Sequence, residues 1–184
     1  MTHKPEHEAV DEIVLPENLL PLGSVLDEGV SPLEVSSVLA KVFRVEDAEV
    51  ALLKLEGGLL RFIFPEHLRT SGSIPISSKA VAAHTALSKK PEIFNNFARV
   101  KHASIFETIK GGAAQSDSTP PAPTPIQKLM SVPILDHKST VMGVIQISRK
   151  GSDPHQTKDF SREDLHDLEI AAGVLAVSPV MRAN

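Results

Sequence analysis

The chain has 184 residues, enough for one ordinary domain with a single core and cramped for two. Hydrophobic residues at 41% and charged residues at 23% are those of a globular protein, and a net charge of -4 with no Trp or Tyr argues against a nucleic-acid partner. The absence of Cys removes disulfides, thiolate metal sites, cysteine nucleophiles and thioether-linked chromophores; with no signal peptide and no apolar run of about 18 residues, the expectation is a cytoplasmic protein that does not enter a membrane.

Residues 1–30 begin acidic and then hold Pro16, Pro21 and Gly23 among leucines, which reads as an arm with a short helix rather than as core. Ser31, Pro32 and Glu34 form a helix start, since Ser caps, Pro suits the first helical position and Glu can close a capping box. Val35, Val38, Leu39 and Val42 continue an amphipathic helix over 32–44. AEVALLKLE (48–56) and LLRFIFP (59–65), joined at Gly57-Gly58, predict a hairpin. Arg61 and Phe62 alternate there and face opposite sides.

GSIPIS (72–77) reads as a short extended piece, and Ser77 or Ser78 as the cap of a helix over 79–90 that stops before Pro91. PEIFNNF (91–97) is extended. Ala98, His102, Ile105 and Ile109 share a helical face that ends at Gly111-Gly112. Residues 111–125, GGAAQSDSTPPAPTP, predict a flexible loop. IQKLMSVPIL (126–135) and TVMGVIQIS (140–148) are strands joined at Asp136, His137 and Lys138. Ser161 and Asp164 cap a last helix with Leu165, Leu168, Ala172 and Leu175 on one face and Ile170, Val174 and Val177 beside them. Residues 179–184 read as a tail. Hairpins at both ends with helices between and after them predict an α+β domain on an antiparallel sheet.

LMSVPILDHKSTVMGVIQISRKG, a spacer and FSREDLHDLEIAAGVLA resemble the GAF domain family. Val132-Pro133, Gly143-Val144-Ile145-Gln146, Phe160, Asp164-Leu165, Leu168-Glu169 and Ala172 carry the match, which extends more loosely over 31–178. The resemblance implies a GAF-like central antiparallel sheet with the first and last helices on one face and the crossover helices and loops on the other. It further implies a non-catalytic small-molecule sensor in signalling, with a possible effector partner and a homodimer through the first and last helices. The dimer face would then use Leu39, Val42, Ile170, Val174 and Val177. The alternative is a dimerisation or protein-interaction module with a vestigial pocket. Free-methionine-sulfoxide reductases of the family need cysteines, which this chain lacks.

Cyclic-nucleotide-binding relatives carry an Asn-Lys pair, a Phe and an Asp-Glu pair; here Arg149-Lys150, Phe160 and Asp164-Leu165 match in part. Lys150, Phe160 and Asp164 therefore form either a salt-bridged support for a nucleotide or, as the reading favoured here, a structural motif in which Asp164 completes the helix cap. His84 and His102 lie on crossover faces, either as ligands for a haem, metal or anion or as edge histidines. Asn95 and Asn96 could read a purine or amide edge, or cap the helix that follows. Phe94, Met130 and Met142 complete the candidate pocket residues. The sequence identifies no cofactor, no metal site and no phosphate loop, since Gly57-Gly58 and Gly111-Gly112 fit a turn and a helix stop.

Overall fold

The computed structural model describes residues 13–97 and 124–183. Six strands, β1 (Val50–Glu56), β2 (Leu59–Phe64), β3 (Ser73–Pro75), β4 (Glu92–Phe94), β5 (Ile126–Leu135) and β6 (Val141–Lys150), form one sheet. Their order is β3-β2-β1-β6-β5-β4, with every neighbouring pair antiparallel. The β1–β2 turn is tight because Gly57 and Gly58 both accept positive φ, 56° and 76°, which a two-residue primed turn demands.

Among the described residues the α-helices are α1 (Pro32–Phe43), α2 (Val81–Ser88), α3 (Arg162–Val177) and the single turn α4 (Pro179–Arg182). Both long helices open with the expected capping box. Ser31 Oγ accepts from Glu34 N and Glu34 Oε2 accepts from Ser31 N; Ser161 and Asp164 repeat the pattern at 3.0 and 2.7 Å. Helix α2 departs from expectation, because its N-cap is Ala80, with no side-chain cap, and Ser78 Oγ only accepts from Ala80 N at 3.4 Å. The helical pattern at Ala98, His102, Ile105 and Ile109 lies outside the described residues, as does loop 111–125 apart from residues 124 and 125.

Strand alternation sorts the core into two layers. Val50 and Leu52, Met130, Val132 and Ile134, and Ile145 and Ile147 face α1 and α3, meeting Val35, Leu39, Leu168, Ala172 and Leu175. Ala51, Leu53, Leu60, Phe62 and Val144 face the other way, toward Ala82, Ala83 and Ala86 of α2. Each fully buried Leu or Ile contributes about 1.5–3 kcal/mol from removing its side chain from water. First and last helices thus share one face and the described crossover helix covers the other, as expected; Phe62 is the inward member of its pair and Arg61 is exposed.

Two expectations at the ends are corrected. Residues Glu17–Leu26 are not a free arm but a 3-10 segment packed against α1 and α3, with Leu19, Leu22 and Val25 buried in the main core. At three residues per turn, positions 19, 22 and 25 stack on one side. Nor are residues 179–183 a loose tail. Met181 is buried against the sheet, and Lys54 Nζ donates to Ala183 O. Met181 fits because Gly143 has no side chain at the point where its methyl lies.

Candidate functional site

The two faces of the sheet differ in chemistry. Toward α1 and α3 the buried centre of the strands is apolar, with charged side chains only near the strand ends, where Lys54 reaches Ala183 O and Arg149 stacks on Phe160. Toward α2 the centre of the sheet carries Ser131 and Gln146, cross-strand partners on β5 and β6, with Thr85 of α2 above them. All three are at most 2% exposed. Gln146 Nε2 donates to Ser131 Oγ at 3.1 Å, Ser131 Oγ lies 2.6 Å from Thr85 Oγ1, and Thr85 Oγ1 donates to Val81 O at 2.9 Å. Thr85 has one hydroxyl proton and uses it on Val81, so Ser131 is the donor to Thr85. The strip is therefore a directed, uncharged relay. Sequence reasoning passed over it, although Ser in LMSVP and Gln in GVIQI are polar residues in otherwise apolar strands.

Beside this strip β4 pairs with β5, placing Glu92 opposite Ser131. Phe94 is half-buried and meets Phe97 edge-to-face at 6.5 Å, within a cluster of Val81, Ile126 and Leu129. Next along the chain, Asn95 Oδ1 accepts from Phe160 N at 2.9 Å and Asn95 Nδ2 donates to Phe160 O at 3.0 Å. Lys128, its side chain only 6% exposed, donates to Asn95 O and pairs with Asp159, both at 2.6 Å. Arg149 donates to Lys158 O and Asp159 O while its guanidinium covers the Phe160 ring at 4.0 Å. Burial lowers the Arg149 pKa, opposed by the carboxylates of Asp164, Glu49 and Asp159.

Of the residues singled out from the sequence, His84 lies at the rim, its side chain 53% exposed and Nε2 3.0 Å from Glu92 Oε1. Asn96 is exposed and Phe94 is half-buried; His102 lies outside the described residues. Both ends of the Asn95 amide bind Phe160, and the helix that Asn95 or Asn96 was expected to cap lies outside the described residues. Met130 is wholly buried on the α1–α3 face, and Met142 packs from that side too, beside Gly173, Ala176 and Val177. Alternation turns Met130 away from α2. The register shift opposite Ile134 and Leu135 leaves Met142 as the extra residue between Val141 and Gly143 and turns it the same way, which corrects the assignment of both methionines to that pocket. Phe160 is buried and Asp164 closes the α3 cap, the structural alternative for that motif. Lys150 N donates to Glu49 Oε2 and its Nζ to Ala48 O. In the expected dimer face, Leu39 and Val174 are core residues, Val42 and Ile170 are partly buried, and only Val177, 40% exposed, reaches solvent substantially. Among the described residues no cluster of His, Asp and Glu could hold a metal ion. No helix among them is long and apolar enough to cross a membrane.

Solved structures with this architecture are GAF domains. The GAF domain of an Acinetobacter phosphoenolpyruvate-protein phosphotransferase is similar with a TM-score of 0.62 at 15% identity, covering 92% of this chain and 95% of that one. An A. aeolicus nlh2 GAF domain in an inactive state is similar at 0.58 and 14%, covering 86% and 91%. The chain therefore has the GAF-domain fold. The fold also accommodates an fRMsr of Staphylococcus aureus, in its reduced form, at 0.53 and 15%, covering 87% and 93%. No protein-family model matches the chain. No curated protein matches it either.

Proposed function

We propose that the chain is a non-catalytic, cytoplasmic sensor domain that binds a small organic molecule on the α2 side of its sheet and passes that state to a signalling partner. The observation that carries this reading is the chemical asymmetry at the buried centre of the sheet: apolar toward α1 and α3, but hydrogen-bonding at Thr85, Ser131 and Gln146 toward α2. Buried polar groups that merely fill a core add little net stability, whereas the same groups can exchange partners with a ligand. An uncharged strip suits an amide, ring nitrogen or hydroxyl on the ligand. Such a group would take over hydrogen bonds that Thr85 and Gln146 now make with Ser131.

Thermal-shift and native mass spectrometry screens against nucleotides, haem and metabolites test this. A ligand at a hundredfold its Kd adds about 2.7 kcal/mol, or roughly 5–10 °C in Tm for a chain of this size. Gln146→Leu should abolish that shift. The reading fails if no compound stabilises the wild-type chain, or if Gln146→Leu leaves the shift intact. A second reading, an interaction module with a vestigial pocket, draws on the exposed apolar side chains Ile13, Val14, Leu20 and Leu33. A homodimer would use what α1 and α3 leave open, chiefly Val42, Ile170 and Val177.

A further inference from the structure

We propose that Asn95 is a coupling residue: its side-chain amide joins the β4 segment to the start of α3, so that the order of one depends on the other. Asn95 binds Phe160 as a peptide group would, accepting at 2.9 Å from its N–H and donating at 3.0 Å to its carbonyl across 65 residues of sequence. Phe160 immediately precedes Ser161, the N-cap whose hydroxyl accepts from Asp164 N at 3.0 Å. Any displacement of Asn95 is therefore applied one residue from the cap that holds the first turn of α3.

Two further side chains, Lys128 and Arg149, make the joint stiff. Lys128 Nζ reaches from β5 to both Asn95 O and Asp159 Oδ1, tying the two segments at a second point. Arg149 of β6 holds the Lys158 and Asp159 carbonyls and stacks on Phe160. By contrast β4 has only three residues and, among the described residues, a single neighbouring strand, so its described attachment is slight. Its Glu92 stands opposite Ser131, the middle member of the polar strip. Events at the strip reach β4 across one strand pair and reach α3 through Asn95. That last step rests on the sensor reading above; the joint itself does not.

Amide hydrogen exchange on the full chain, with no ligand, tests the joint by a double-mutant cycle. Ser161→Ala removes the cap hydroxyl and should raise exchange in the first turn of α3 about fivefold. Through Asn95 it should also raise exchange at Ile93, Phe94 and Asn95 by about two- to fivefold. In an Asn95→Ala background the same Ser161→Ala change should move those three amides clearly less, since only the Lys128 tie remains. Asn95→Asp, which keeps the acceptor for Phe160 N and loses the donor to Phe160 O, should give an intermediate result and replaces the alanine variant should that fail to fold. The proposal is overturned if Ser161→Ala leaves residues 93–95 unchanged in the wild-type background, or changes them equally in both. A negative ligand screen would sink the sensor reading and leave this result untouched.

Discussion

Replacing Gly143 by alanine should be among the most damaging single-methyl additions in this chain. A Cβ built there falls 2.0 Å from Leu53 O and 2.9 Å from Met181 Cε. The first contact is with backbone of the paired strand β1, where Leu53 lies opposite Val144 and Lys54 opposite Gly143, so no rotamer relieves it. Ordinary contact begins at 3.4 Å, about 1.4 Å further, so the strands must part locally from their spacing of about 4.8 Å. Overpacking costs about 1–3 kcal/mol, and each buried backbone group left unpaired about 1–3 kcal/mol more. The expected loss is therefore about 3–5 kcal/mol, a large share of the 5–15 kcal/mol typical of a whole domain. Urea unfolding followed by circular dichroism would read this as a midpoint lower by about 2 M, taking a slope near 2 kcal/mol per M. Met181→Ala in the same background should recover little, because the Leu53 contact remains. A midpoint within about 0.3 M of wild type would refute the argument, and full rescue by Met181→Ala would assign the clash to the methionine.

Arg44 terminates α1 in the left-handed region at φ 56°, so Arg44→Gly should stabilise by about 1 kcal/mol, seen as a Tm higher by a few degrees; an unchanged or lower Tm contradicts this. Thr85→Val, Ser131→Ala and Gln146→Leu should each cost about 1–3 kcal/mol in chemical denaturation, while the triple variant costs clearly less than their sum; strict additivity would mean the relay is not one unit. Asp136 is held below its ordinary pKa, chiefly by the Thr140 N–H and also by the Lys138 N–H, each 2.8 Å from Oδ1. A carboxyl with a depressed folded pKa contributes stability above its unfolded pKa and loses it as pH falls through the folded one. Carboxyl NMR should give Asp136 a midpoint below the usual aspartate value, and Asp136→Asn should flatten that part of the acid limb; an ordinary midpoint would refute it.

Local signals in the sequence carried most of the architecture. The two capping boxes, the Gly57-Gly58 turn and the alternating strands at 50–56, 126–135 and 141–150 follow from residues a few positions apart. What local signals do not carry depends on distant partners. Asn95 looks like a cap or a recognition group until Phe160 is beside it. Lys128 gives no hint of burial in a strand pattern, because its Nζ is satisfied by Asn95 and Asp159 from elsewhere. Met130 and Met142 were legible as strand residues, yet which side they face depends on which helix covers each side of the sheet. Leu19, Leu22 and Val25 did carry a signal, a spacing of three, obscured by the prolines at 16 and 21.

That last segment changes what self-association through α1 and α3 would require. The strip Glu17–Leu26 already lies on both helices, and Asn18 Nδ2 donates to Asp167 Oδ2 of α3 at 2.9 Å. Because it is tethered, it occupies its seat at an effective concentration of about millimolar, independent of how dilute the protein is. It is an internal competitor: a second copy aiming for the same groove must displace a ligand that never diffuses away. Association by that groove would accordingly be weak in the whole chain and set by how readily residues 13–26 peel off, whereas a partner using the outward Leu20 and Val14 would meet no such rival.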